Sequence, residues 1–452
     1  MSRNGTKRKR RARGAAALLI AVVAALAAVS VGTAQARQSA PVTLKLWYLG
    51  DAEAPGFQKW MAQNVKLYEK ANPDVKIKTT LQAVDTWVQT QTTACKAQSG
   101  PDIWYQWTGT YALEQAWNGC TLPVQDFWEQ SDIDKLLNTQ EATWEKKLWW
   151  VPQFLQVYPI IYSAELFKKA GLDPDKPPAT WAQLITACKK LEAAGITPFT
   201  LGLKDGWGGE IVSVSFQKQV VASYDSLKKL VISGNFATNP GWRLWLNRLA
   251  QLRPYFNKDI NSVPQADAQA RFETGSAAMA FGVGGVQNLV RSMQAKGKDI
   301  RVMRMPAFGT GPYATSFSTN ASGWAVTRWT KQKEVAGDFL RFMQSPSRLS
   351  AWYATTNIFP ASKQWNQKQA TAKTQKQLLG WINANNAVYT TDFLPVDLDV
   401  NGNFPVFQGI LGGKMTAAQA AALYQSVATT WRKQNTKQVG YFTRWLGSNP
   451  AP

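Results

Sequence analysis

The chain has 452 residues, with 51 Lys and Arg against 29 Asp and Glu, a net charge of +22, and 45% hydrophobic residues. That length is more than one ordinary core accommodates, so two domains or lobes are expected. Histidine is absent, which excludes Ser-His-Asp and Cys-His catalysis and histidine-ligated metal sites, and leaves carboxylate chemistry as the main route open to an enzyme.

The N-terminus reads as an export signal. The basic run "RNGTKRKRRARG" precedes an apolar stretch, Ala15 to Val31, interrupted only by Ser30. Small residues at Ala34-Gln35-Ala36 then offer a cleavage site, making residues 1–36 a signal peptide. An uncleaved membrane anchor is the alternative, because the stretch is near the shortest that spans a bilayer. No cysteine follows it, so a lipid-anchored cleavage site is not indicated. Cleavage removes seven bases and no acid, leaving 44 bases against 29 acids, or +15. These bases are scattered as singles and pairs such as Lys168-Lys169 and Lys228-Lys229 on helix-like segments. That is the pattern of a solvated face, so no nucleic-acid partner is expected. Of three cysteines, an odd count for an exported chain, Cys188 falls on the apolar stripe of a helix and reads as a buried thiol. Cys95 and Cys120 remain as the candidate bridge.

From residue 42 onward the elements alternate. "VTLKLWYLGD" alternates like a strand and ends at Gly50-Asp51. Phe57, Trp60, Met61, Val65 and Tyr68 then fall at helical spacing, stopped by Asn72-Pro73. "VKIKTTL" is a strand, "TWVQTQTTACKAQSG" a helix and "PDIWYQW" a third strand, an order that predicts a layer built on a parallel sheet. A second such region follows: the strand "YPIIYS", and a helix from Thr180 with a capping box to Gln183 and a terminating Gly195. After it come a strand at Ala277 to Phe281, the strand "GWAVTRW", the helix "KEVAGDFLRFMQS" and a final helix beginning at Thr416. No repeat or low-complexity linker separates the halves, so the two units are expected to interleave.

Several of these segments, in order, resemble the extracellular solute-binding proteins of sugar-import ABC transporters, the maltose-binding-like type. The matching stretches include "LKLWYLGD", "SGPDIWYQW", "VPQFLQVYPIIYSAELFKKAGLDPDKPPATWAQLITACKKLEAAGITPF", "FETGSAAMAFGVGG", "SGWAVTRWTKQKEVAGDFLRFMQSP" and "FPVFQGILGGKMTAAQAAA". The resemblance implies an α/β, two-lobed periplasmic-binding-protein-like fold of type II, with interleaved lobes, a hinge and a central cleft. It places lobe 1 at 42–151 and 307–352, and lobe 2 at 152–306 with the C-terminal part, 353–452. It implies an extracytoplasmic binding component that captures a mono- or oligosaccharide and delivers it to membrane permease subunits, outside the cell membrane, as a monomer. No enzyme activity, cofactor or metal is implied.

A sugar offers apolar C–H faces and a rim of hydroxyls, so its site needs flat aromatic faces and fixed polar partners. The resemblance carries over these roles to Asp51, Trp87, Gln106, Trp107, Gln156 and Trp207, and less directly to Trp324. Asp51 is equally placed to cap the next helix, and Trp47 and Trp104 are placed to be core. Many relatives carry an aromatic near Gly285, which this chain lacks. Two other functions stay open: a binding protein for a non-sugar solute, and a secreted carboxylate-based glycoside-active enzyme, for which Asp51 and Glu210 would be the pair.

Overall fold

The computed structural model describes residues 41–448 apart from Val283, Asn385 and Val388. The proposed signal segment, residues 1–36, lies outside them. Among the described residues no helix is long and apolar enough to cross a membrane.

Two sheets organise the chain. In the first, Val42–Tyr48 pairs in parallel with Val75–Leu81 on one side and with Ile103–Trp107 on the other. Phe317–Val326 then adds antiparallel to Ile103–Trp107, and Val151–Val157 adds antiparallel to Phe317–Val326. The sheet is therefore mixed, where the alternation of elements had predicted a parallel one. Strand direction leaves no mark in residue periodicity, and all ten positions of Phe317–Val326 are buried, so no alternation betrays its faces. The second sheet runs Ile300–Met303, Ile160–Ser163, Ala277–Phe281, Thr197–Thr200.

The chain passes between the sheets at Tyr158-Pro159, later than the expected division at residue 152, because Val151–Val157 belongs wholly to the first sheet. It returns between Met303 and Phe317. Beyond residue 353 it stays with the first lobe longer than expected: Leu155 N–H donates to the Phe359 carbonyl, and the helix Lys373–Ala384 packs on Phe317–Val326. Only from Thr390 onward does it join the second lobe, against the helices Gly208–Gln217 and Tyr224–Ser233.

Much of the tryptophan is structural. Phe57 is ringed by Trp60, Trp324 and Trp352 with centroids 6.0, 5.7 and 5.0 Å away, each such pair adding about 0.5–1.5 kcal/mol beyond its buried area. Cys95 and Cys120 form a disulfide with Cα atoms 5.2 Å apart, tying the helix Trp87–Ala97 to the end of Thr110–Trp117, and Cys188 is free and buried. Thr180 and Thr416 both cap their helices through capping boxes with Gln183 and Gln419. The Thr416 helix is not the last: after Asn435 a further helix, Thr436–Trp445, folds back so that Trp117 meets Tyr441, Phe442 and Trp445.

Candidate functional site

The first strand-to-helix exit that matters is at Trp107. Trp104 and Tyr105 are buried, while Trp107, the last residue of Ile103–Trp107, is half-buried. Gly109 then turns the chain with a φ of +62°, a conformation that favours glycine. The helix Thr110–Trp117 follows and sets the Tyr111 ring edge-on to Trp107, centroids 5.5 Å apart. Trp107 Nε1 donates to Glu53 Oε1 at 3.2 Å, and Gln156 Nε2 donates to the same oxygen at 2.8 Å. Gln156 is held in turn by Ser322 Oγ at 2.6 Å and by the Tyr158 hydroxyl at 3.1 Å. The register that pairs Asn320 with Gln156 places this amide at the lobe junction.

The second lobe supplies the facing wall. Trp207 precedes the helix Gly208–Gln217 and Glu210 sits in its first turn. A π-helical turn, Asp399–Asn403, brings Asp399 and Asn403 side by side, as such turns do at functional sites. Asn403 Nδ2 donates to Asp399 Oδ1 at 2.6 Å, and Asn403 is itself held by Gln217 and by the Tyr424 hydroxyl. The lobes meet through Tyr111, whose hydroxyl donates to Asp399 Oδ2 at 2.9 Å, and through the Tyr158 and Tyr389 rings, 4.7 Å apart. Contact is close enough that a side chain at Gly109 would run into Asp392, and one at Gly285 would sit 2.9 Å from Pro55.

Glu53 and Glu210 lie deep between the lobes yet keep accessible surface, as do Trp107, Tyr111 and Trp207. Trp107, Tyr111, Glu53 and Glu210 gather there, Trp107 bonded to Glu53 and both Tyr111 and Glu53 within electrostatic reach of Glu210, while Trp207 opens the helix that carries Glu210. Burial raises the Glu53 carboxyl, and the hydrogen bonds from Trp107 and Gln156 pull it back only in part. Burial, then the charge of Asp399, pushes Glu210 well above the usual carboxylate range, against a hydrogen bond from Tyr389. Asp392 is pushed up likewise, by burial and then by Glu141 and Glu210, and burial lifts Asp399 to about 6. Burial also lifts Glu141, which accepts hydrogen bonds from Thr108 and Asn138. No arginine or lysine is among the groups that set these five acids.

Of the residues expected at the site, Trp107 and Gln156 stand at the junction, and Trp207 is half-buried at the start of the helix that carries Glu210. Gln106 is fully buried one residue short of it, accepting from Gln91 Nε2 at 2.9 Å and donating to the Trp107 carbonyl. Trp87 and Trp324 are fully buried in the first-lobe core, where each ring fills volume and presents no face to the junction. Asp51 is exposed, and its Oδ1 accepts from the Gln58 amide at 2.8 Å in the first turn of Phe57–Ala71. Sequence reasoning passed over Glu53, Tyr111, Tyr158, Asp392 and Asp399. Glu53 lies two residues past the matched "GD", and Tyr111 is within the aromatic run. Asp392 and Asp399 fall in "TTDFLPVDLDVNGN", which carries no motif.

Two interleaved α/β lobes closed on a polar, aromatic junction define a two-lobed binding-protein fold of type II. Residues 51–347 match the bacterial extracellular solute-binding proteins, and the chain belongs to that family. It is 25% identical over 207 residues to the sn-glycerol-3-phosphate-binding periplasmic protein of Shigella dysenteriae serotype 1, covering 45% of this chain and 47% of the relative. The chain thus spans about half the length of the curated relatives it matches. Among solved structures, a chitin oligosaccharide binding protein superposes with a TM-score of 0.76 at 20% identity, covering 86% of this chain and 98% of that one. A structure from work on xylan utilisation by the thermophilic bacterium Caldanaerobius polysaccharolyticus has a TM-score of 0.73 at 23% identity, covering 85% and 99%. At these identities the likeness is one of fold.

Proposed function

We propose that this protein is the exported substrate-binding component of an ABC importer, holding a mono- or oligosaccharide between its lobes and passing it to membrane permease subunits. One observation carries the reading: Trp107, Tyr111, Glu53 and Glu210 gather where the lobes meet, with Trp207 at the start of the helix that carries Glu210. Aromatic faces suit the C–H faces of a sugar ring, and carboxylates accept from its hydroxyls. The names of the chitin oligosaccharide and xylan-related structures support a carbohydrate. In this reading the ligand is retained without turnover. The lobe bounds are those of the two sheets, with the hinge at Tyr158-Pro159 and between Met303 and Phe317.

A thermal-shift screen of the purified protein against mono- and oligosaccharides tests it. A ligand at 100 times its dissociation constant adds about 2.7 kcal/mol of stability. Product analysis after incubation separates retention from hydrolysis. Release of shortened sugars would replace a binding protein with an enzyme.

A further inference from the structure

In a chain with 51 bases, the lobe junction is acidic: Glu53, Glu141, Glu210, Asp392 and Asp399 gather there, and the groups that meet them are amides, hydroxyls, an indole and one another. Buried carboxylates ordinarily acquire a cationic partner, because desolvated like charges repel strongly. Even exposed acids of this protein find one: Asp259 takes both Arg271 nitrogens at 2.7 Å, and Asp299 takes Arg301. A second observation concerns Asp392. The residue is 4% exposed, and although Asn320 bonds its carboxylate, its Oδ2 has no hydrogen-bond partner among the described residues, with the charges of Glu141 and Glu210 acting on it. A buried carboxylate oxygen without a donor costs free energy that a donor from outside would recover. Aromatic faces beside carboxylates are also the surroundings that favour an ammonium group, through cation–π attraction and charge together.

Resting on the carbohydrate reading above, we propose that the junction selects by charge, taking an amine-bearing sugar whose protonated nitrogen supplies the counter-charge and turning away anionic polyols. The hydroxyls of such a ligand meet the amide of Gln156 and the carboxylates, its ring meets the aromatic faces, and its ammonium group lies among Glu53, Glu210 and Asp392. A phosphorylated polyol would bring further negative charge to acids that no base offsets. Lys218, buried on the same lobe, is already committed to the carbonyls of Tyr313, Ala314 and Ser316 at 2.7–3.2 Å.

Isothermal titration of the purified protein with matched β-1,4-linked series tests this: glucosamine oligomers, their N-acetylated forms, glucose oligomers, and sn-glycerol 3-phosphate as the anion. The aminated member is expected to bind at least about tenfold tighter than either neutral counterpart of equal length, and Glu210→Gln to shrink that ratio. Its affinity is expected to fall as pH is lowered, because the acids, their protons held more tightly than usual, must lose them before they can meet an ammonium group. Neutral members binding as tightly, or the anion binding best, overturns charge selection and, in the neutral case, leaves carbohydrate capture standing. Absence of binding by all aminated members while another carbohydrate stabilises the protein overturns it equally. If no carbohydrate of any kind binds, both readings fall.

Discussion

Asp51 and Trp207 divide the work of a single residue between folding and binding. The Asp51 carboxylate accepts from the Gln58 amide in the first turn of a helix, the role of a capping group. Asp51→Ala should therefore cost about 1 kcal/mol of stability, in the range for lost caps, with ligand affinity unchanged. Denaturant unfolding and titration on the same variant check both halves, and a tenfold loss of affinity would return Asp51 to the site. Trp207 is half-buried beside Glu210. Trp207→Ala should weaken sugar binding by about 1–3 kcal/mol, taking stacking on nucleobases as the analogue. Its stability should change by less than the roughly 3–5 kcal/mol typical of an emptied aromatic core site. A collapsed melting temperature with intact affinity would make it core. At this scale the sequence made residue types legible and their directions not. Trp87, Trp107 and Trp324 look alike in motif matching, yet only Trp107 ends a strand at the junction, and strand pairing decides which of them is packed on both faces.

Elements carry closure through the turn at Gly109. Its φ of +62° and its contact with Asp392 leave no space for a side chain when the lobes are shut. Gly109→Ala should add about 1–3 kcal/mol of backbone cost and wedge the junction, lowering affinity tenfold or more while each sheet still folds. Titration and a melting curve on the variant read the two effects apart, and full affinity would mean that the junction tolerates a wider approach. Helix boundaries at Thr180 and Thr416 were legible because Thr and Gln three apart report local hydrogen bonding. The last helix was not, since "TKQVGYFTRW" follows Asn435 without a capping side chain and its apolar face is defined by distant Trp117. Nor was the acid cluster: Asp392 and Asp399 join Glu53 and Glu210 only when the third passage between lobes brings the C-terminal segment across.

For the whole molecule, the junction makes closure depend on protons and on ligand. The acids there have raised pKa values in the closed form, so closure is most favourable below the ordinary carboxylate range of about 4. It is lost as pH rises through the raised values, beginning with Asp399 at about 6 and continuing through Glu141 at about 8 and those beyond. Glu114, lifted to about 7 at the same junction by burial, adds in the same sense, and the facing tyrosines, all pushed upward, stay neutral. Ligand-free protein should open between about pH 4.5 and 8, visible as a growing radius of gyration. A constant radius across that window would remove the acids from control of closure. At neutral pH the central claim, that two lobes shut on a carbohydrate, is tested most directly by small-angle scattering before and after adding a sugar shown to bind. Binding selects the closed form in such two-lobed proteins, so the radius of gyration should fall at saturation. An unchanged radius with the site demonstrably filled would contradict the account.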